Sequence, residues 1–450
     1  MKVLKFGGTS VGTVESLRNV KMIVEACDTP VVVVVSALGG LTDRLIATAA
    51  KAAAGDESYR SDVDAMARRH FDIIDTLVPQ NLREKVTDTI SDLFDSLRRN
   101  YDGVFLLRAL PRKTLDVIVS FGERMSSVIV TAIVDGAVRF DSLDFIKTEK
   151  WYSKNIADKK LTEQLIGKVF KDFSGIAIVP GFISTDRDTH DITNLGRGGS
   201  DFTAALIAAA LDASLLEIWT DVDGFMSADP RIIPEARVLP RMTFIESMEL
   251  CNFGAKVIYP PTIYPVFHKN IPIKILNTFN PEAPGTLICE KSADSTEDIK
   301  GVTALKGTSV FRLHSSVPDD FHSRALNAMA RCGVTVFIVN SSDDGLSLSF
   351  AVADADAAAA DENLRKEFAP ELADGSVTVE RHPRELATVA VVGDGMEKRL
   401  RFAPRVLNTL LRDGIEVVTY SRQPSATTLS FVIPLEKVDR ALRLIHNLAF

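Results

Sequence analysis

A doubly wound, mostly parallel α/β domain followed by two smaller α+β units of order βαββαβ is the fold this sequence predicts. Three observations predict it. The first is a βαβ pattern at the N-terminus whose second strand, 31–35, is five consecutive valines; a strand that is apolar at every position is buried on both faces, as in the centre of a parallel sheet. The second is the return of strand–helix alternation after a long, charged, helical stretch. The third is a repeat of element order in the last third of the chain.

In order, a strand at 3–6 ends in Gly7-Gly8 and is followed by a helix near 14–26 and the strand 31–35. Residues 56–115 are highly charged with helical spacing, and read as a helical insertion or lid. A strand at 117–120, a helix through 125–134, a strand at 176–179, a helix at 200–211 and a strand at 217–220 follow. Pro-rich turns punctuate 260–284, and a strand at 271–276 is expected to close the sheet. The polar stretch 291–300 reads as a linker.

Segment 308–366 then runs strand (309–313), helix (321–332), strand (334–339), strand (346–352), helix (356–367), with a last strand at 377–379. Segment 386–450 repeats it: strand (388–392), helix (403–412), strand (416–420), strand (428–433), helix (437–447). The catalytic-type domain is thus expected over 1–295 and the paired units over 300–450, about 308–385 and 386–450.

Composition narrows the function. The 450 residues are 46% hydrophobic and 25% charged, with a net charge of −8, which is a globular composition in two or three domains. The acidity speaks against nucleic acid as a partner, since no broad basic face could displace phosphate counterions. Apolar runs are too short to span a bilayer, and MKVLKFGG has no long apolar core of a secretory signal. Cys27, Cys251, Cys289 and Cys332 are far apart with no CxxC pair, which points to reduced thiols and a cytoplasmic setting.

Four motifs carry chemistry. KFGGTS at 5–10 delivers Lys5 on a strand and follows it with glycines that let backbone N–H groups approach an anion, before a helix N-terminus. Because the lysine precedes the glycines it is not a Walker loop; the plainer reading is a strand-to-helix turn with a surface lysine. LGRGGSD at 195–201 offers the same geometry, with Arg197 able to grip a carboxylate and Asp201 either functional or a helix cap. EIWTDVDGFMSADPR at 217–231 places Asp221 and Asp223 beyond a strand's carboxyl end, where ligands of such sheets gather, although Asp-Gly is also a turn. FGAKVIYPPT at 253–262 offers Lys256, which alone would be a solvated charge.

Together, KFGGTSVG, VVVSALGGLTD, SFGER, GFIS, NLGRGGSDFTAA, EIWTDVDG, ADPR, NFGAKVIYPPT and NTFNPEAPGTLI resemble the aspartate kinase family of the amino acid kinase superfamily. The resemblance covers almost the whole chain, and the tail resembles the paired ACT regulatory domains of that family down to VVGDGM at 391–396. NPEAPGTLI is similar to the kinase half of bifunctional aspartate kinase–homoserine dehydrogenases, and no GxGxxG follows here.

The resemblance implies an amino acid kinase fold with tandem ACT domains. It implies transfer of the γ-phosphoryl of MgATP to the β-carboxylate of L-aspartate, the first step toward lysine, threonine and methionine. It implies that Lys5 with the amides of Gly7 and Gly8 neutralises the transferring group, with Phe6 beside it. Thr9, Ser36 and Thr42 belong to the nucleotide–aspartate pocket, Glu123 takes the substrate ammonium, and Arg197 with Gly198, Gly199 and Ser200 takes the α-carboxylate. Asp201 orients Lys5 or the metal-bound phosphate. Thr220, Asp221, Arg231, Lys256 and Val257 match nucleotide contacts, as does Met226, where the family often has Tyr. No residue is firmly assigned to the metal.

Effector positions fall in loops 339–344 and 420–425, with Asn340, Ser341 and Ser342 as candidates. Lysine-sensitive relatives carry Asp where Phe337 stands, and threonine-sensitive ones Gln where Asn340 and Arg422 stand, so neither pattern is met. A homodimer through 300–450 is expected, since four-stranded sheets leave an edge to cover. The alternatives are a kinase of glutamate or carbamate type and a catalytically inactive amino-acid sensor.

Overall fold

The computed structural model describes residues 1–28, 30–151, 154–290, 299–317, 320–394, 402–422 and 427–450. Most of the 291–300 linker, the end of VVGDGM and the end of the 420–425 loop lie outside the described residues. Two compact units emerge. One comprises Met1–Phe225, Pro240–Phe244 and Val257–Ser292; the other comprises Met226–Leu239, Ile245–Lys256 and Ala293–Phe450.

The first unit begins β1 (Lys2–Phe6), α1 (Val14–Glu25), β2 (Val31–Val35), α2 (Leu41–Ala54), α3 (Tyr59–Leu77), α4 (Gln80–Leu107) and α5 (Arg112–Ile133). It continues β3 (Ala137–Arg139), β4 (Lys147–Trp151), β5 (Lys154–Ala157), α6 (Lys159–Val169), β6 (Ile176–Pro180), β7 (Ile183–Asp186), β8 (Ile192–Asn194), α7 (Gly199–Ala210) and β9 (Leu215–Thr220). Then come β10 (Arg241–Thr243), α8 (Phe244–Asn252), whose body belongs to the second unit, α9 (Tyr264–Phe267), β11 (Ile273–Asn277) and β12 (Thr286–Cys289).

Eight strands form one sheet in the order β10-β12-β11-β9-β1-β2-β6-β3. All its pairings are parallel except β11 with β12. β1 lies between β9 and β2, its Lys5 in register with Ile218 on one side and Val34 on the other. β2 is buried at all five positions, as its unbroken valines require. The carboxyl ends of β1, β2, β6 and β9 therefore open at one edge.

Two expectations are corrected. Residues 117–120 are not a strand but part of α5. That helix buries Ile118, Val119, Ser120, Phe121, Gly122 and Glu123 in succession, so it shows no polar face, and a short apolar run inside a buried helix has the same pattern as a buried strand. The strand near 271–276 does not close the sheet: β11 lies inside it, and β12 and β10 continue beyond. Those outer strands have four and three residues, too few to show a period. A second, four-stranded sheet, β5-β4-β7-β8, was likewise too short and polar to be read. The helical stretch is carried by α3 and α4, which bury Tyr59, Met66, Phe94 and Tyr101 in the same core as α2 and α5.

The second unit contains β13 (Gly301–Ser315), α10 (Phe321–Cys332), β14 (Val336–Ser341), β15 (Ser347–Ala353), α11 (Asp354–Glu367), α12 (Ala369–Asp374), β16 (Val377–Arg381), β17 (Leu386–Val392), α13 (Phe402–Arg412), β18 (Thr419–Arg422), β19 (Thr428–Pro434) and α14 (Val438–Ala449). β13 serves two neighbourhoods. Gly301–Lys306 pairs antiparallel with β17, and beyond a register shift at Gly307 the strand pairs with β15 and β16. The sheet order is β14-β15-β13-β17-β19-β18, with β16 also on β13.

Each half has its own core. Phe311, Phe321, Phe350 and Leu364 fill one, and Val389, Val406, Leu410, Phe431 and Ile445 the other. Gly307 sits at φ 83°, a backbone that β-branched residues avoid. Gly307→Val should therefore lower stability by roughly 1–3 kcal/mol, read as a lower urea midpoint; an unchanged midpoint would show that the strand does not need the bend.

Candidate active site

β1 ends by presenting Lys5, only 8% exposed, and the chain turns through Gly7 and Gly8 into α1, whose first turn is closed by a reciprocal Thr13–Ser16 capping box. Gly7 N–H donates to Trp219 O at 3.0 Å, tying this turn to the end of β9. The turn after β2, Ser36 to Gly40, runs against the first. A Cβ on Gly8 would lie 3.1 Å from Ala37 O, and one on Gly39 3.0 Å from Gly8 O, so the two backbones touch with no room for side chains.

From the other side, the turn after β8 carries Asn194 to Gly198, and α7 opens with Gly199, Ser200 and Asp201, all buried. Asp201 Oδ1 lies 2.6 Å from Lys5 Nζ. α5 presents Asp116, Val119 and Glu123, three positions on one helical face. These elements enclose a cavity of about 650 Å³ lined by Lys5, Gly8, Ser36, Thr42, Asp116, Glu123, Asn194 and 196–201 among others.

Its electrostatics are uneven. Glu123 is 3% exposed. Burial pushes its carboxyl up to about 8, although backbone N–H groups of Ala37 and of Glu123 itself favour the charged form. Its Oε2 has no hydrogen-bond partner among the described residues, so a cation entering the cavity would find an acceptor waiting. Asp116 is also pushed up by burial, against the opposing pull of Arg112 and of Asn194, whose Nδ2 donates to Asp116 Oδ1 at 2.7 Å. The cavity thus combines a cationic end at Lys5, an acid at Glu123, the exposed fork of Arg197, and backbone N–H groups at two glycine turns and a helix N-terminus.

Of the residues singled out by sequence, the structure gathers Lys5, Gly8, Ser36, Thr42, Glu123, Arg197, Gly198, Gly199, Ser200 and Asp201 around this cavity. Phe6 is buried in β1 and stacks on Trp219, and Thr9 is exposed; neither lines it. Thr220 donates to Asp221 Oδ1 at 3.2 Å beyond β9. Val257 belongs to the first unit, whereas Met226, Arg231 and Lys256 belong to the second; Arg231 is ion-paired with Asp229 at 2.7 Å.

In the second unit, Asn340, Ser341 and Ser342 line a separate cavity of about 490 Å³ with Arg312, His314 and Glu380, and Asn340 Nδ2 donates to Thr419 Oγ1 at 2.8 Å. Asp116, Asn194 and Phe182 were missed. Asp116 was legible only if 117–120 was read as helix, because only then does it fall seven residues before Glu123 on the same face.

Such a unit, a parallel sheet that brings a lysine, glycine turns and a helix N-terminus to one edge, has the geometry that suits anionic groups. Residues 1–277 match the amino acid kinase family and 389–448 match the ACT domain, and the chain belongs to the amino acid kinase family. Within it, the chain is 30% identical to the lysine-sensitive aspartokinase 3 of Escherichia coli, over all of this chain and 99% of that one. It is also 30% identical to the bifunctional aspartokinase/homoserine dehydrogenase of Buchnera aphidicola, of whose length it spans 56%. The crystal structure of E. coli aspartokinase III in complex with aspartate and ADP superposes with a TM-score of 0.84 at 27% identity, covering 99% of each chain. Among the described residues no helix is long and apolar enough to cross a membrane.

The buried acid makes a prediction that needs no substrate. Glu123 ionises near 4.5 when free and near 8 in the folded protein, so between those values the folded state holds the extra proton and stability falls as pH rises. Glu123→Gln cannot ionise. Its stability relative to the wild type should therefore climb by up to about 1.4 kcal/mol per pH unit between pH 5 and 8 and level off above. Urea unfolding at several pH values measures it, and parallel curves would refute the buried, proton-holding state.

Proposed function

We propose that this chain is an aspartate kinase, transferring the γ-phosphoryl of MgATP to the β-carboxylate of L-aspartate to give 4-phospho-L-aspartate. The observation that carries the proposal is the single cavity that joins the Lys5–Asp201 pair to Glu123 and Arg197. An α-amino acid needs an acid for its ammonium and a fork for its carboxylate, and Glu123 and Arg197 supply them. The orphaned Oε2 of Glu123 suits an ammonium donor. The relatives, aspartokinases and among them one solved in complex with aspartate and ADP, support the same substrates.

The mechanism follows from the groups in reach. A carboxylate is a nucleophile at neutral pH and needs no general base. The chain's work is positioning and charge neutralisation. Lys5 Nζ and the amide of Gly8 meet the transferring group, and Asp201 aims Lys5; the Gly7 amide, expected beside them, is instead donated to Trp219 O. Ser36, Thr42 and Ser200 shape the substrate side. Thr9 is assigned to the substrate side, and Phe6, Thr220, Asp221, Met226, Arg231, Lys256 and Val257 to the nucleotide, by resemblance. Magnesium arrives with the nucleotide as part of the substrate.

In this reading 1–295 is the kinase domain and 300–450 a pair of ACT units, the strand near 302–305 joining the second. The chain acts in the cytoplasm, which suits four cysteines that are far apart in sequence with no CxxC pair. Purified protein with MgATP should yield a hydroxamate-trappable acyl phosphate from L-aspartate and little from L-glutamate, and Lys5→Ala should cut turnover roughly a hundredfold. Equal use of glutamate would point to another amino acid kinase, and no turnover to a sensor.

Regulation is proposed through Asn340, Ser341 and Ser342, whose cavity also holds Arg312 and Glu380, opposite charges that suit a zwitterionic amino acid. Lysine or threonine would act there in a homodimer joined through 300–450, where Val339 and Tyr420 are exposed on β14 and β18. An effector shifts activity only by preferring one state. Sedimentation should find a dimer, and millimolar lysine or threonine should lower the rate; a monomer unaffected by both would remove this regulatory reading.

A further inference from the structure

Arg69 reaches from α3 in the helical stretch to both turns that frame the cavity. Its Nη1 donates to Gly39 O at 2.8 Å and its Nη2 to Gly12 O at 2.7 Å. Gly12 closes the turn that carries Gly7 and Gly8, and Gly39 lies in the turn that carries Ser36 and leads into Thr42 at the start of α2. The turns are already in backbone contact. A Cβ on Gly12 would lie 3.0 Å from Gly8 O and 3.4 Å from Gly39 N, and one on Gly8 would lie 3.4 Å from Gly39 Cα. Two carbonyls directed at one point repel, and without a cation between them these turns have reason to separate. A guanidinium is the side chain whose planar fork can hold two acceptors at fixed spacing. Arg69 does not line the cavity, so it acts through the backbone it holds.

We propose that Arg69 is a positioning residue for phosphoryl transfer, clamping the Gly7–Gly8 turn and the Ser36–Gly40 turn at the spacing at which the Gly8 amide of the first and the side chains of Ser36 and, at the start of α2, Thr42 meet one substrate. The proposal deepens the kinase reading and rests on it for its kinetic arm only. It also gives the helical stretch a role, since α3 is anchored by Val63, Met66, Ile73 and Ile74 in the core and thereby holds the guanidinium still. The Ala37 amide that reaches Glu123 belongs to the clamped turn, so loosening it disturbs both the phosphoryl and the amino end of the site.

The test compares the wild type with Arg69→Ala and Arg69→Lys in the full chain. With MgATP and aspartate, kcat should fall roughly ten- to hundredfold in both, as misplacement of reacting groups by about 1 Å does. Lysine should rescue poorly, because a point charge cannot span two carbonyls. Millimolar guanidinium should restore part of the rate of Arg69→Ala and none of that of Arg69→Lys, a response that general destabilisation would not produce.

Independently of any substrate, amide hydrogen exchange over 7–12 and 36–42 should quicken in both variants while exchange in β1 and β2 stays slow. Wild-type exchange in those turns, in whichever variant folds, overturns the clamp. So does wild-type kcat in Arg69→Ala. If the wild type itself does not phosphorylate aspartate, the functional reading fails and the exchange measurement alone decides the clamp.

Discussion

Two opposite charges, Lys5 Nζ and Asp201 Oδ1, meet 2.6 Å apart at the edge of the main sheet with each residue less than a tenth exposed. Removing two ions from water costs several kcal/mol apiece, and an apolar pair of the same volume would often be the more stable choice. The surrounding structure has to carry that cost. β1 does so by locking Lys5 between β9 and β2, with Leu4 and Phe6 fully buried on either side of it in sequence. α7 does so by burying an almost continuous apolar surface, from Thr203 to Ala208, behind Asp201. A lysine so placed cannot retreat to solvent, and its carboxylate partner cannot swing away. The pair is best understood as a cation held at a fixed address.

Glu123 is the complementary case. Lys5 has its counter-charge, while Glu123 has none among the described residues, and burial leaves it holding a proton to about pH 8. A cavity with a satisfied cation at one end and an unsatisfied acid at the other is polarised before anything binds. In the proposed reaction the ammonium of the substrate would supply what Glu123 lacks and draw its proton off, since a nearby positive charge favours the carboxylate. The incoming phosphates would compete with Asp201 for Lys5. Each end of the site then changes its charge balance only when the correct group arrives.

Much of this was readable in the sequence, and the parts that were not fail for identifiable reasons. Lys5, Gly8, Arg197 and Asp201 stand in motifs where glycines adjoin charge at the ends of strands and at helix starts, a pattern with direct physical meaning. Strands of five or more apolar residues, and helices with a polar face, were legible from period alone. The 117–120 segment was not, because α5 is buried nearly all round and has no face to betray its pitch. That misreading hid Asp116, whose relation to Glu123 is a helical one. The short strands of the second sheet, KTEKW and KNIA among them, carry more charge than pattern, and their pairing depends on tertiary neighbours. Arg69 was invisible for a deeper reason: its role is set by two carbonyls more than fifty and about thirty residues away, and no local pattern encodes a hydrogen bond to a distant backbone.

β13 illustrates the same limit from the opposite direction. Its 15 residues read as two separate strands, because the polar residues around Gly307 interrupt the alternation and because one glycine at a positive φ looks like a break. In the structure the break is a bend inside a continuous strand. Its first part completes the pairing of β17, and its second part sits between β15 and β16. One strand therefore belongs to both repeated halves, and a disturbance in the pairing on one side of Gly307 is passed by covalent continuity to the other. The separate cores of the two halves give each its own stability, while the shared strand fixes their registers together. A further buried cluster, Val310, Ile338 and Ala351 with Leu386 and Val432, crosses between the halves, so the sheet is tied both along its shared strand and through its interior.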